Sequence, residues 1–215
     1  MSLLSKLFNF VIMITNRYKI DESHGLSHSM DVLINAHNIY ESELIKNNYL
    51  KDQQFVIYIS AILHDMCDKK YMNETEGIEN ISLFLNKKMP KNEIDITKKI
   101  ITTMSYSKVK INGFPKMDDY QLAYHIVREA DLLSAYNFDR CMIYNMNKMN
   151  GDILGAYVNA QDLFENRVFK HDYDGLLITD YSKKLHQTLK LNAEQRINSW
   201  SKIITNKKLL SLHRR

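Results

Sequence analysis

Residues 55–63 are apolar on nearly every side, with Phe55, Val56, Ile57, Tyr58, Ile59, Ala61, Ile62 and Leu63 interrupted only by Ser60. A helix that is hydrophobic all round has no face to give to water. It belongs in the middle of a core, and the rest of the chain must pack around it. This segment runs straight into His64-Asp65, followed by Asp68, Lys69 and Lys70. An imidazole beside a carboxylate at the edge of a core is costly unless the groups are paired or hold a metal ion. Taken alone, a His-Asp pair at a helix end also serves as a cap or an ion pair. Partners elsewhere in the chain decide between these readings.

Punctuation around the segment is scarce: 6 Gly and 2 Pro among 215 residues, with Leu, Ile, Lys, Asn and Met abundant. That favours an all-α fold with short connections. A hydrophobic content of 45% with 25% charged residues is that of a globular protein, and the length suits one domain with a sizeable core. The net charge of +4 is spread evenly, without a dense Lys/Arg block interleaved with aromatics, so stable nucleic-acid binding is not expected. Lys207, Lys208, His213, Arg214 and Arg215 read as a solvated basic tail. Cys67 and Cys141 define neither a disulfide framework nor a zinc-ligand spacing, which points to a reducing compartment. The apolar run 8–14 falls short of the ~20 residues of a spanning helix, and no small-residue cleavage site follows it. It reads as a first core helix, and the protein as cytoplasmic with no membrane partner. The oligomeric state is left open.

Helices are expected over about 3–18, from an N-cap at Ser27 to about Lys46, over 55–63, after Asn73, after Pro90 toward Met104, from Tyr120 through about 146, over 154–168 and over about 179–204. In the second of these, Met30, Leu33, Ile34, His37 and Tyr40 form the expected inward stripe. Residues 105–119, SYSKVKINGFPKMDD, are the longest break and read as a loop over a site. HDYDG at 171–175 reads as a turn, with His171 and His186 as turn or surface residues. Asp131 lies among Leu122, Ala123, Ile126, Val127, Ala130 and Leu133, and needs a partner if buried. No repeat or linker divides the chain. It reads as a single domain over 1–215, with a motif core at about 21–140 and C-terminal helices at about 152–205 packed on it.

His28 opens one expected helix, His64-Asp65 ends the apolar one and Asp131 lies inside a later one. Two imidazoles and two carboxylates suit one six-coordinate divalent ion, Mn²⁺ first, with Mg²⁺, Co²⁺ or Fe²⁺ as alternatives. Four protein ligands leave about two positions for water or phosphate oxygens. In order and context this H…HD…D pattern resembles the HD superfamily of metal-dependent phosphohydrolases. The likeness covers roughly 21–140 and, more faintly, the C-terminal helices. HSMDVL at 28–33 is similar to the family's H-S-hydrophobic-x-V helix start, AILHD at 61–65 to its apolar-apolar-LHD, and READLLSA at 128–135 to its xxADxLxA. HDMCDKKY at 64–71 is similar to the HD-x-x-D-x-K-aromatic segment of a compact subgroup, some members of which hydrolyse nucleoside triphosphates. The Ser-rich turn that follows in that subgroup has its counterpart in MSYS at 104–107. The chain departs from the pattern at Asp31, where the family usually carries Arg in H-x-x-R-V. It also lacks the Gly-Lys that follows HD in other branches, the Glu-Asp step of guanosine tetraphosphate hydrolases and the extra His pattern of dinuclear phosphodiesterases.

The resemblance implies an all-α, HD-like bundle holding one divalent ion on His28, His64, Asp65 and Asp131. It implies hydrolysis of a phosphoester or phosphoanhydride bond in a phosphorylated small molecule. A nucleotide is the expected substrate, with triphosphate cleavage to monophosphate and pyrophosphate as its most specific form. The metal polarises a phosphoryl oxygen and acidifies water, and Asp65 is the residue expected to accept the proton. His24, Asp68, Lys69, Lys70 and Arg128 are expected around the substrate, the cations to neutralise phosphate charge and Asp68 to orient a lysine or a water. A rival of another class is a metal-stabilised, catalytically silent nucleotide-binding or regulatory protein, motivated by Asp31 and the short supply of phosphate-binding cations. Tight nucleotide binding without turnover would identify it. A helical interaction protein with no metal is the third reading, and elemental analysis tests it.

Overall fold

The apolar segment forms the helix Gln54–Leu63, and its burial follows its composition: Val56, Ile57, Ile59, Ser60, Ala61, Ile62 and Leu63 are all enclosed. The structure, a computed structural model, describes residues 1–206 and Leu209. The basic tail residues Lys207, Lys208, His213, Arg214 and Arg215 lie outside the described residues. In chain order the helices are α1 (Leu3–Tyr18), α2 (Leu26–Leu44), α3 (Gln54–Leu63), α4 (Glu74–Leu85), α5 (Lys91–Thr103), α6 (Tyr106–Asn112), α7 (Gln121–Ser134), α8 (Phe138–Lys148), α9 (Ile153–Asn166) and α10 (Asp180–Ile204). Short 3₁₀ turns at Asn48–Gln53, Asp118–Tyr120 and Val168–Lys170 link them, and the described residues contain no strand. The fold is all-α. No helix among the described residues is long and apolar enough to cross a membrane, and Cys67 and Cys141 are both free thiols.

α3 is packed by α1, α2, α5 and α7, which makes it the centre of the main core. Its five buried aliphatics beyond Ala61 each gain ~1.5–3 kcal/mol over an exposed position. A second core joins α8, α9 and α10 through Phe138, Met142, Ala156, Tyr157, Phe164, Ala193 and Ile197, and Leu189 of α10 packs on both.

Several local expectations are corrected. α2 begins after Gly25, not Ser27, because the preceding turn is wound by the Asp21 carboxylate, which accepts the Ser23 N–H at 2.9 Å. Its inward face is Ser29, Val32, Ala36, Ile39 and Tyr40, whereas Met30 is 44% and Ile34 58% exposed. α2 lies between α3 and α7, and the small Ser29 and Ala36 admit both neighbours where Met30 and Ile34 would hold them off. Asn35 Nδ2 then reaches Ser134 Oγ of α7 at 2.9 Å. The stretch 105–119 is not a plain loop. It carries α6, whose Val109 is buried with Leu132, Leu176 and Leu177, and which stops at Gly113 with φ 71°. The helix from Tyr120 does not run on to 146. Asn137 interrupts it by accepting the Arg140 N–H at 3.1 Å as the cap of α8. His171 and His186 are buried, not superficial.

Candidate metal centre

Three helices deliver the four residues to one place. His28 stands on the first turn of α2, where the loop before it is tied down on several sides. The Asp21 carboxylate accepts hydrogen bonds from the Ser23 N–H, the Ser23 hydroxyl and the Tyr71 hydroxyl (2.6 Å), while Arg140 Nη1 donates to the Ser23 carbonyl at 3.0 Å. His64 directly follows the last residue of α3, and its Nδ1–H donates to the Ala61 carbonyl at 2.9 Å. That bond satisfies one of the carbonyls a helix end leaves open and fixes Nε2 as the nitrogen facing the site. Asp65 comes with it. Asp131 sits one turn from the C-terminal end of α7, which packs tightly on α2 and α3.

His28 Nε2 lies 3.1 Å from His64 Nε2, 3.3 Å from Asp65 Oδ2 and 3.4 Å from Asp131 Oδ1. His64 Nε2 lies 3.2 Å from Asp65 Oδ2 and 3.7 Å from Asp131 Oδ1. For metal–donor bonds of roughly 2.1 Å, neighbouring donors of an octahedron are about 3.0 Å apart. The His28, His64 and Asp65 donors all fall within 4.8 Å of one another, and Asp131, outside that group of three, approaches it through the two imidazoles. Asp65 Oδ2 is buried without a hydrogen-bond partner, and so is His28 Nδ1.

The electrostatics suit a bound cation. Burial works against ionised Asp65 and Asp131, yet the surrounding imidazoles hold both carboxyls well below the usual carboxylate range. Burial likewise disfavours a charged His64, but the adjacent Asp65 carboxylate prevails and pushes it up to about 9. Two acids gathered on two imidazoles therefore demand positive charge, from a proton on His64 or from a divalent ion. Mixed nitrogen and oxygen donors at these spacings fit the ion.

A cavity of about 140 Å³ opens over the cluster, walled by His64, Asp65, Asp68, Lys69, Lys70, Met104, Ser105, Tyr106, Ser107, Lys108, Asp131 and Arg167 among others. Lys70 Nζ is held 3.1 Å from Asp68 Oδ2 and 3.3 Å from His24 Nε2. Lys108 is engaged by Glu74 and the Thr102 carbonyl, while Lys69 has no partner among the described residues. His24 bonds through Nδ1 to the Ser23 and Tyr71 hydroxyls at 2.7 and 3.1 Å, and burial lowers it to about 4. A second cleft of about 390 Å³, sharing Lys70, is lined by Lys19, Asp21, Tyr71, Tyr144, Asn147 and Lys148.

The metal set His28, His64, Asp65 and Asp131 is thus brought together, with Asp68, Lys69 and Lys70 in the cavity wall and His24 beside it. Arg128, expected near substrate, is not among the residues lining the cavity. It is 1% exposed, paired with Glu129 at 3.2 Å, donating to the Leu176 carbonyl and lying 4.8 Å over the Phe114 ring. Asp31 lines a different groove, of about 420 Å³ between α2, the α7–α8 junction and α10, together with Asn35, Ser134 and Arg196. Sequence reasoning missed Arg167 and Tyr106. A lone Arg just past a helix end reads as an ordinary complement to the helix dipole, and nothing local says that it reaches a cavity built by α3 and α7.

No family profile matches the chain, and no curated protein matches it significantly. Two solved structures share its fold. A protein from Lactobacillus plantarum superposes with a TM-score of 0.67 at 18% identity, covering 94% of this chain and 96% of that one. YpgQ of Bacillus subtilis superposes with a TM-score of 0.62 at 18% identity, covering 96% and 99%. At that identity the likeness establishes the helical architecture over essentially the whole length of both chains, and the fold alone.

Proposed function

We propose that this chain is a divalent-metal-dependent phosphohydrolase acting on a nucleotide. The observation that carries the reading is the convergence of the His28 and His64 imidazoles on each other and on the Asp65 and Asp131 carboxylates, at 3.1–3.7 Å, beside a cavity walled by Lys69, Lys70 and Arg167. A divalent ion bound there supplies a Lewis acid for a phosphoryl oxygen and lowers the pKa of water. Asp65 would hold the ion and accept a proton from the attacking water. Lys69 and Lys70 meet phosphate charge, with Lys70 steered by Asp68 and His24.

The cavity volumes support a nucleotide. About 140 Å³ is well under the ~300 Å³ of pockets that enclose a drug-sized ligand. It suits the phosphoryl end of a substrate, while the adjoining 390 Å³ cleft, with Tyr71, Tyr144 and Lys148, suits the nucleoside end. Cleavage of a nucleoside triphosphate to monophosphate and pyrophosphate is the most specific form of the proposal. Purified protein with Mn²⁺ is expected to release phosphate or pyrophosphate from at least one member of a nucleotide panel, and Asp65→Ala to abolish release. Turnover that survives Asp65→Ala removes this mechanism. Nucleotide-dependent thermal shifts without turnover under any divalent ion favour a silent binding protein.

A further inference from the structure

Resting on that reading, we propose that Arg167 is the anion anchor of the site, holding an oxyanion of the substrate's phosphate chain beside the metal centre. Arg167 follows α9 and begins the 3₁₀ turn Val168–Lys170, far in sequence from the metal ligands. It nonetheless lines the same cavity as His64, Asp65 and Asp131. Its guanidinium carbon lies 4.2 Å from the centroid of the Tyr106 ring.

This guanidinium has no hydrogen bond and no carboxylate within 4.0 Å among the described residues, although Arg167 is partly buried. Each other described arginine has an oxygen partner. Arg17 pairs with Glu76, Arg128 with Glu129, Arg196 with Asp139, and Arg140 donates to the Ser23 carbonyl. A cation drawn partly out of water without a partner is costly to the fold. An arginine kept in that condition at the wall of a metal cavity is suited to an anion from outside, which its planar fork binds in bidentate fashion.

The surroundings hold it ready. Tyr106 offers its ring face, and its hydroxyl donates to Asp174 Oδ2 at 3.3 Å, where Lys110 Nζ also binds at 3.0 Å. The ring is therefore fixed, and the Asp174 charge is already taken up. His171, packed against Tyr106 and Tyr136, is buried with both ring nitrogens unpartnered. Burial and the nearby Arg167 keep that imidazole uncharged, at about 3, so it does not compete as a cation. The remaining nearby anion, Asp131, is committed to the metal centre.

The test uses the full chain loaded with Mn²⁺ and inorganic pyrophosphate as the probe, followed by calorimetry, with steady-state kinetics on the best nucleotide in parallel. Arg167→Gln is expected to weaken pyrophosphate binding about 10- to 100-fold, as for loss of a charge-assisted hydrogen-bonded contact. KM should rise more than kcat falls. Arg167→Lys should recover part of the affinity, and it serves as the folded control if Arg167→Gln is unstable. Mn²⁺ affinity should stay at the wild-type value in both. Pyrophosphate binding unchanged in Arg167→Gln, or absent from the Mn²⁺-loaded wild type, overturns the anchor. If the wild type binds pyrophosphate through Arg167 but turns over no nucleotide, the anchor stands and the hydrolase reading falls.

Discussion

In the metal-free protein, the crowding of two acids on two imidazoles imposes a particular dependence of stability on pH. Burial would depress His64, but Asp65, Asp131 and the Ala61 carbonyl together carry it from 6.5 to about 9. Below pH 6.5 the folded and unfolded chains both hold this proton, and its stabilisation is fully present. Between 6.5 and 9 only the folded chain retains it, so stability declines as pH rises and the contribution is gone above 9. The change from 6.5 to about 9 corresponds to about 3 kcal/mol. In a chain of 215 residues that is a fall in Tm of roughly 6–12 °C. His24, His125 and His171, lowered to about 4, 4 and 3 chiefly by burial, are neutral when folded while the unfolded chain still takes up their protons, so they make stability rise with pH through 6.5 and contribute no slope above about pH 7.5. A divalent cation bound there would take over the role of the His64 proton. Scanning calorimetry of chelator-treated protein from about pH 7.5 to 9, above the range in which the unfolded chain protonates those three histidines, should therefore show roughly half that fall in Tm without metal, and, repeated anaerobically with saturating Mn²⁺, a much flatter profile. His64→Gln should flatten the metal-free profile. A flat metal-free wild-type profile, or a decline that Mn²⁺ leaves unchanged, refutes the electrostatic account of the site.

Other substitutions probe the parts separately. Asp131→Asn keeps a side chain of the same size but gives up a charged donor 3.4 Å from His28, and Mn²⁺ affinity by calorimetry should drop at least ~10-fold; equal affinity would remove Asp131 from the ligand set. Glu129 is fully buried and accepts from the Ile178 and Thr179 N–H groups, the Thr179 hydroxyl and Arg128, so Glu129→Ala leaves a buried arginine unpaired. Urea unfolding should report a loss of about 3–5 kcal/mol, and a loss under about 1 kcal/mol would contradict that role. A Cβ on Gly77 would lie 2.7 Å from both Cα and Cβ of Cys67, two residues beyond Asp65. Gly77→Ala should cost about 1–3 kcal/mol, seen as a lower Tm; a wild-type Tm would mean that α4 yields freely.

What could be read in the sequence is what short-range physics determines. α1 and α10 begin where the Ser2 and Thr179 hydroxyls cap them, and α3 lies at the centre because its composition leaves it no other place. The candidate ligands could be singled out for a related reason, since His28 and Asp131 lie in helices, and His64-Asp65 directly after one, whose burial is announced by their own neighbours. The face of α2 was not. Met30 and Ile34 are as apolar as Val32 and Ala36, and only the close approach of α7 selects the smaller pair. His171 was misread as superficial because HDYDG has the composition of a turn, and a turn covered by α6 and the α7–α8 junction looks the same in sequence as one facing water.

The two arginines make the same point about function. Arg128 and Glu129 are adjacent on a helix, where neighbours do not face each other, so in sequence Arg128 looks free to serve a substrate. The segment after Leu176 changes that. Its Ile178 and Thr179 N–H groups draw Glu129 at 2.8 and 3.1 Å, while the Leu176 carbonyl takes Arg128, and the pair closes at 3.2 Å. The contact that withdraws Arg128 lies in the connection between α9 and α10, the same connection whose start supplies Arg167 to the cavity. The C-terminal half thus exchanges one cation for another at the wall of the candidate metal site. The role of an arginine here is set by which oxygens the fold has already offered it, a long-range property that a local motif does not record.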